Sequence, residues 1–360
     1  MDTFSTQHHK IRVLYVIESF STGVYSIVRD ISRNLNPEKF EILIIHSLRN
    51  DSPERYKDDF DQANIRLNYI PMGSTKHYPK AIRSIRKTIR SFRPDAIHLH
   101  SSKAGFLGRL AAHNCSCKNL LYSPHGFAFL RTDVSILRRW VFLQLEKWIN
   151  WYTPGKIIAV SKGELTQALR ITKESAVINN FIDISLLPVD HNPSNFDIVT
   201  TGRIAPQKNP TLFNIIAKAL PHLAFLWVGD GPLKSQLDAA NITVTGYISR
   251  ELAIDYVSNA KIYIQTSLWE GMPVSILEAM AAARPVVASD IIGNKDLIQE
   301  GITGFLCDAG KPAQFQEKIG LLLSNEDLRY SIGKNAQKYV EAHHDVTKAV
   351  KAYEKLYSPI

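Results

Sequence analysis

The chain has 360 residues, 45% of them hydrophobic, which is long and apolar enough for a large core and favours two domains over one. No run approaches the roughly 18 apolar residues of a membrane span, the start MDTFSTQHHK lacks a signal peptide's layout, and Cys115, Cys117 and Cys307 make neither a disulfide framework nor a four-ligand zinc site. A cytoplasmic globular protein is expected, its net charge of +9 unevenly spread: residues 1–180 hold 27 Lys and Arg against 15 Asp and Glu, residues 181–360 hold 16 against 19.

Short runs rich in Val, Ile and Leu alternate with segments of helical period: RVLYVIE, YSIVRDISRNL, FEILIIHSL, then DAIHLH and AGFLGRLAAHN. Such alternation predicts parallel strands joined by crossover helices. After KIIAVS, a helix from Lys162 to Arg170 and the strand-like SAVINNFI, the segment PVDHNPSN reads as a linker. The alternation restarts with FDIVTTG, PTLFNIIAKAL, AFLWVG, a helix near GPLKSQLDAA, ITVTG, ELAIDYVSNA, KIYIQTS and PVVASD, and the tail from Asn325 to Tyr357 is helical in pattern throughout. The expectation is an α/β chain of two doubly wound domains, 1–182 and 197–340, joined by a linker at 183–196. A C-terminal helix at 341–360 returns toward the first domain, and a ligand cleft lies between the two.

GRIAPQKN follows a strand at once, so Arg203 and Lys208 leave from its carboxyl end, where two cations suit a diphosphate; a solvated loop is the competing reading. Gly23, in SFSTGVYSIV, opens a helix and lets a phosphate or sugar approach its amides, but the pattern is no dinucleotide fingerprint. GDGP at 229–232 reads as a tight turn. His98 and His100 share a strand face without a carboxylate to complete a metal site, and His125 either faces the cleft or is a core histidine. In EGMPVSILEAM, Pro273 fits a first helical turn. Glu270 precedes that helix and Glu278 lies within it, so the two carboxylates hold separate parts of one long ligand rather than sharing a proton.

Glu270 and Glu278 in E-G-M-P-V-S-I-L-E, after G-R-I-A-P-Q-K-N and V-G-D-G-P, resemble the family 4 glycosyltransferases, retaining enzymes of the GT-B fold with two Rossmann-like domains. The resemblance implies a nucleotide-sugar donor held mainly by the second domain, an acceptor held mainly by the first, and no obligatory metal or other cofactor. It implies that Arg203, Lys208 and the Gly23 loop bind the donor diphosphate. Glu270, with Gly271, Met272 and Pro273, would hold the transferred sugar, which His125 faces. Glu278 would take the ribose hydroxyls, Val274 and Ser275 would lie against phosphate and ribose, and Ile248 would line the base. Many members carry two adjacent glycines in the first loop, whereas here Val24 follows Gly23.

The first half adds a basic segment from Lys76 to Arg93 that includes Arg83, Arg86, Lys87 and Arg90, with Ile82, Ile85 and Ile89 on another face. In ILRRWVFLQLEKWINWY, Arg138, Arg139 and Trp140 give the composition of an interfacial helix. The sharper reading is an anionic membrane surface, the plainer one a solvated face and a core helix. The expected acceptor is a saccharide on a polyprenyl diphosphate at the inner face of the plasma membrane, and the phrasing of HLHSSKAGFLGRLAA and YSPHGFAFLRTDVS is most like O-antigen, capsule and exopolysaccharide enzymes. A nucleotide-sugar 2-epimerase shares the fold. A basic nucleic-acid binder is the remote alternative, without a recognition motif in its favour.

Overall fold

Strands β1 (Ile11–Ile17), β2 (Phe40–His46), β3 (Ile65–Tyr69), β4 (Ala96–His100), β5 (Asn119–Ser123), β6 (Lys156–Ala159) and β7 (Ser175–Val177) form a seven-stranded sheet in the order β3-β2-β1-β4-β5-β6-β7. Every pairing in it is parallel, and β4 is buried along its whole length, as a strand covered by helices on both faces must be. The covering helices are α1 (Thr22–Asn34), α2 (Tyr78–Phe92), α3 (Ser102–Ala112), α4 (Ile136–Tyr152) and α5 (Lys162–Ala168). This computed structural model describes residues 10–117, 119–187 and 196–358, with the side chain of Leu186 excepted, so most of the expected linker lies outside the described residues.

The second sheet has six parallel strands, β8 (Ile198–Thr201), β9 (Phe225–Val228), β10 (Ile242–Val244), β11 (Ile262–Gln265), β12 (Val286–Ser289) and β13 (Gly304–Cys307), in the order β10-β9-β8-β11-β12-β13. Its helices are α6 (Pro210–Ala219), α7 (Arg250–Asn259), α8 (Val274–Ala281) and α9 (Pro312–Ser324). In each sheet the order reverses beside the first strand, between β1 and β4 and between β8 and β11. A crevice opens at the carboxyl ends of the strands there. The α/β architecture expected from the alternating pattern is the one observed.

Three local expectations need correction. GPLKSQLDAA forms only one 3₁₀ turn, Lys234–Gln236. The chain is held back there because Leu233 N–H bonds to Ile204 O, while Asn214 takes Asp238 and the amide of Ala239. β13, the short GFLC, carried no strand signal in the sequence; a Cβ on Gly304 would sit 2.5 Å from Val286 O, so glycine lets it join the edge. The tail breaks between α10 (Glu326–His343) and α11 (Val346–Tyr357), where Asp345 caps α11 by accepting from Thr347 N–H at 2.8 Å.

That break is where the chain crosses between domains. Ile182 N–H donates to His344 O at 2.9 Å, Val346 N–H returns to Ile182 O at 3.0 Å, and His344 Nδ1 lies 2.7 Å from Asn180 O. α10 packs on α8 and α11 on α1. Tyr357, at the end of α11, is fully buried with its hydroxyl 3.0 Å from that of Tyr15 and 2.8 Å from His98 Nδ1.

Candidate active site

Beyond β8, Gly202 adopts a φ of 137°, and a Cβ there would lie 2.8 Å from Lys208 Cε. Only glycine lets the lysine chain pass over the backbone at this point. Lys208 thereby reaches Glu270 Oε1 at 2.8 Å. Glu270 is 8% exposed, and the same oxygen also accepts from Ser267 Oγ at 2.9 Å and Gln265 Nε2 at 3.4 Å, while Oε2 accepts from Gln207 Nε2 at 3.2 Å. A buried carboxylate is tolerable only when so many donors face it. Burial works against the charge on Lys208, but Glu270, with Tyr263 and Glu278, outweighs it and holds the ammonium above its ordinary range. Arg203, by contrast, is 45% exposed at the side chain, with Nε 4.0 Å from Asp51 of the first domain. The two cations expected to act alike are thus differently placed: Lys208 is buried against Glu270, and Arg203 stands half-exposed beside Asp51.

Pro273 precedes α8 with no side-chain cap, and Ser275 Oγ instead donates to Gln265 Oε1 at 3.0 Å. Val274 and Ser275 line the cleft at this uncapped helix N-terminus. Opposite them, α1 also begins without a side-chain cap, and a carbon added to Gly23 would lie 3.5 Å from Val274 Cγ2. Two positive helix ends, one from each domain, therefore converge. Glu278, one turn into α8, accepts from Arg250 Nε at 2.7 Å, and Arg250 Nη1 reaches across to Asp30 of α1 at 3.2 Å. Burial disfavours the charge on Arg250, yet Glu278 and Asp30 hold it above the usual guanidinium range. Ile248 lines the cleft just before α7.

His125 follows β5 with a φ of 53°, a left-handed conformation that costs a non-glycine residue about 1 kcal/mol or more. Glu164, wholly buried, holds the turn by accepting from Gly126 N–H at 2.6 Å and Val160 N–H at 2.8 Å. His125 Nε2 lies 3.0 Å from His100 Nδ1, and His98 beneath bonds to Ser123 and Tyr357. His98 and His100 are core histidines, and among the described residues no group of three or more His, Cys, Asp or Glu is placed to hold a metal. Burial pushes His125 down to about 4 and the other two well below the ordinary 6.5, so all three are neutral near pH 7.

These histidines set an acid limit. The unfolded chain binds protons below about pH 6.5 that the folded chain refuses, at His125 down to about 4 and at His98 and His100 by a shift in the same direction, so their contribution is full above 6.5 and lost as pH falls below it. Glu164, pushed up to about 7 by burial, works in the opposite direction, but is one group against three. The calorimetric Tm is expected to drop between pH 7 and pH 5; a Tm that rises on acidification contradicts the arrangement.

Among the cations of the first half, Arg86 donates to Ala111 O and Leu110 O and so closes the carboxyl end of α3. Arg139 donates to Phe129 O, and Arg83 Nε to Pro79 O on its own helix. Arg86 and Arg139, both half-buried, thus spend guanidinium donors on the fold. Lys87, Arg90 and Arg138 are exposed, and α4 turns out Ile136, Leu137, Trp140 and Trp151, with Trp140 57% exposed.

Arg203, Lys208, Arg250, Glu270 and Glu278, with His125, Gly23 and the loop after β1, line one cleft of about 1870 Å³. That exceeds the 300–1,000 Å³ or so of an ordinary small-molecule pocket and leaves room for two ligands. Sequence reasoning missed Gln207, Gln265 and Ser267, which sit inside or beside the motifs it used, and Asp30, Glu164 and Arg250, which only tertiary approach brings in.

Residues 21–186 match the model of Glycosyltransferase Family 4, and residues 188–339 match that of Glycosyl transferases group 1. Over 97% of each chain the protein is 26% identical to UDP-Gal:alpha-D-GlcNAc-diphosphoundecaprenol alpha-1,3-galactosyltransferase of Escherichia coli. It is 32% identical to an uncharacterized glycosyltransferase of Methanocaldococcus jannaschii, over 67% of this chain and 68% of that one. The structure of Anabaena HepE in complex with UDP and glucose superimposes with a TM-score of 0.78, covering 96% of this chain and 98% of that chain at 19% identity.

Proposed function

The chain belongs to the family 4 glycosyltransferases and has their GT-B fold, and from that premise we propose that it moves a sugar, with retention and without a metal, from a UDP-sugar to a saccharide on a polyprenyl diphosphate. The observation that carries this reading is the convergence on one cleft of Lys208, Arg203, two uncapped helix N-termini, and Glu270 and Glu278 at either end of the start of α8. UDP is favoured because the Escherichia coli relative is named for UDP-Gal and the HepE structure holds UDP. The carrier follows the diphosphoundecaprenol in that relative's name.

In this reading Arg203, Lys208, the Gly23 loop and the amides of Val274 and Ser275 neutralise the diphosphate. Glu270, Gly271, Met272 and Pro273 hold the sugar, His125 donates or accepts at its hydroxyls, Glu278 takes the ribose, and Ile248 flanks the base. The C1–O bond to the β-phosphate breaks while a C1–O bond to an acceptor hydroxyl forms on the same face, and the hydroxyl proton passes to the departing phosphate oxygen. Val24 leaves the first loop with one glycine, so Gly23 alone gives close backbone approach there. The enzyme would act in bacterial surface polysaccharide synthesis, peripheral to the inner face of the plasma membrane, which it would meet through the exposed apolar side of α4 and the cations Lys87, Arg90 and Arg138. The epimerase reading is not favoured, since both family models are those of glycosyltransferases.

Thermal unfolding across a panel of nucleotide-sugars tests the donor site. A true donor at a hundredfold its Kd is expected to add about 2.7 kcal/mol, and no response to any of them sinks the assignment. Glu278→Ala is expected to weaken UDP itself, since Arg250 alone cannot replace a carboxylate at the ribose hydroxyls; UDP turned over without an acceptor to a new UDP-sugar would restore the epimerase.

A further inference from the structure

The cleft continues into the first domain and changes character there. Glu18, directly after β1, is 2% exposed, yet its two oxygens hold cations that line the cleft. Arg49 Nη2 lies 2.6 Å from Oε2 and Lys103 Nζ 3.0 Å from Oε1. The cations themselves are open, at 31% and 44% of their side-chain surface, so a buried carboxylate fixes their positions and leaves further N–H groups for something in the cleft. Burying a carboxylate for two half-exposed partners is a poor way to gain stability; it suits a site that must present fixed positive charge.

One turn beyond Lys103, Phe106 and Leu107 continue the same face of α3. From the other side α4 contributes Phe142, Leu145 and Ile149, and the Phe106 ring lies 6.3 Å from that of Trp148. The apolar lining does not stop inside the protein. Leu145 is 41% exposed, and Val141, Leu137 and Trp140 carry the same helix outward to solvent.

We infer that this end of the cleft is a subsite for a diphosphate carried on a long apolar chain, with Arg49 and Lys103 on the diphosphate and the groove between α3 and α4 on the first part of the chain. The inference rests on the proposed sugar transfer and places the acceptor's carrier relative to it. An anionic head on an apolar tail matches both halves of the subsite, whereas a neutral saccharide uses neither.

The test titrates the full chain, saturated with UDP, with farnesyl diphosphate, following tryptophan fluorescence. Lys103→Gln and Leu145→Gln are both at open positions, and Arg49 still satisfies Glu18 when Lys103 is gone, so both variants are expected to fold. Each is expected to weaken farnesyl diphosphate by about tenfold, or about 1.4 kcal/mol, with UDP affinity unchanged. Inorganic diphosphate and farnesol are each expected to bind more weakly than the two joined. Undiminished binding in both variants overturns the subsite, and so does inorganic diphosphate binding as tightly as its farnesyl ester. A concentration-dependent dimer abolished by Leu145→Gln also overturns it, because a second copy would then cover the groove. If farnesyl diphosphate behaves as described while no UDP-sugar binds, the subsite stands and the transfer reading falls.

Discussion

Replacing Glu270 by glutamine is expected to reduce sugar transfer by about 10²–10³-fold while leaving UDP affinity largely intact, read by steady-state kinetics and by titration calorimetry with UDP. The carboxylate gathers Lys208, Ser267, Gln265 and Gln207, and among the described residues no other acid bonds this set. Glutamine keeps the shape and one carbonyl acceptor, and Gln207 can present its own amide oxygen to the new N–H₂ group. The charge is lost, and with it the strongest acceptor for sugar hydroxyls and the partner of the buried ammonium. Glu270→Ala removes the acceptor altogether and leaves Lys208 unpaired, a change that costs about 3–5 kcal/mol of stability in such pairs, so its activity loss mixes chemistry with unfolding. A fall in UDP affinity in Glu270→Gln equal to that in Glu278→Ala would mean that the division of roles between the two carboxylates is wrong.

Gly271→Ala is expected to cost about 10²-fold in transfer, again with UDP binding retained. A Cβ at Gly271 would stand 2.8 Å from Gly126 N, 3.0 Å from His125 C and 3.1 Å from Glu164 Oε1, so it meets first-domain backbone that no rotamer change can clear. The second domain also presses from behind, where a Cβ on Gly293 would sit 2.5 Å from Gly271 O. One methyl group thus forces the domains apart where the His125–Gly126 backbone meets the Glu270–Gly271 backbone, and a misplacement of about 1 Å is enough for the loss named. Donor binding, carried by the second domain, survives. Wild-type turnover in this variant would show that the domains do not close on these glycines during the reaction.

The parts of the site legible in the sequence are those whose geometry is local. GRIAPQKN and EGMPVSILEAM each leave a strand end and meet a helix within a few residues, so strand, turn and helix signals place Arg203, Lys208, Glu270 and Glu278 without knowledge of the rest. The alternating apolar runs likewise revealed both sheets, because buried parallel strands leave little choice of residue. Glu18, Arg250 and Asp30 carry no such mark. Each is an ordinary charged residue beside a strand or on a helix until distant segments meet it, Arg49 and Lys103 at Glu18 within the first domain and Arg250 at Asp30 across the two. Arg86 and Arg139 show the converse: on a helical projection they belong with exposed cations, and only the position of α3 and of Phe129 shows that their guanidinium groups also bond backbone carbonyls. Gly271 was noticed as part of a motif, but its reason lies in Gly126, 145 positions earlier in the chain.

The hydroxyl of Tyr357 meets Tyr15 across 342 positions and His98 across 259. During synthesis the first sheet is therefore made long before the helix that covers α1 exists. The first domain waits with the flank of α1 and the polar groups under His125 exposed, a state of high contact order that folds slowly and invites aggregation. A fragment ending at the domain boundary would lack α11 and so leave that flank of α1 and the Tyr357 site beneath His125 uncovered.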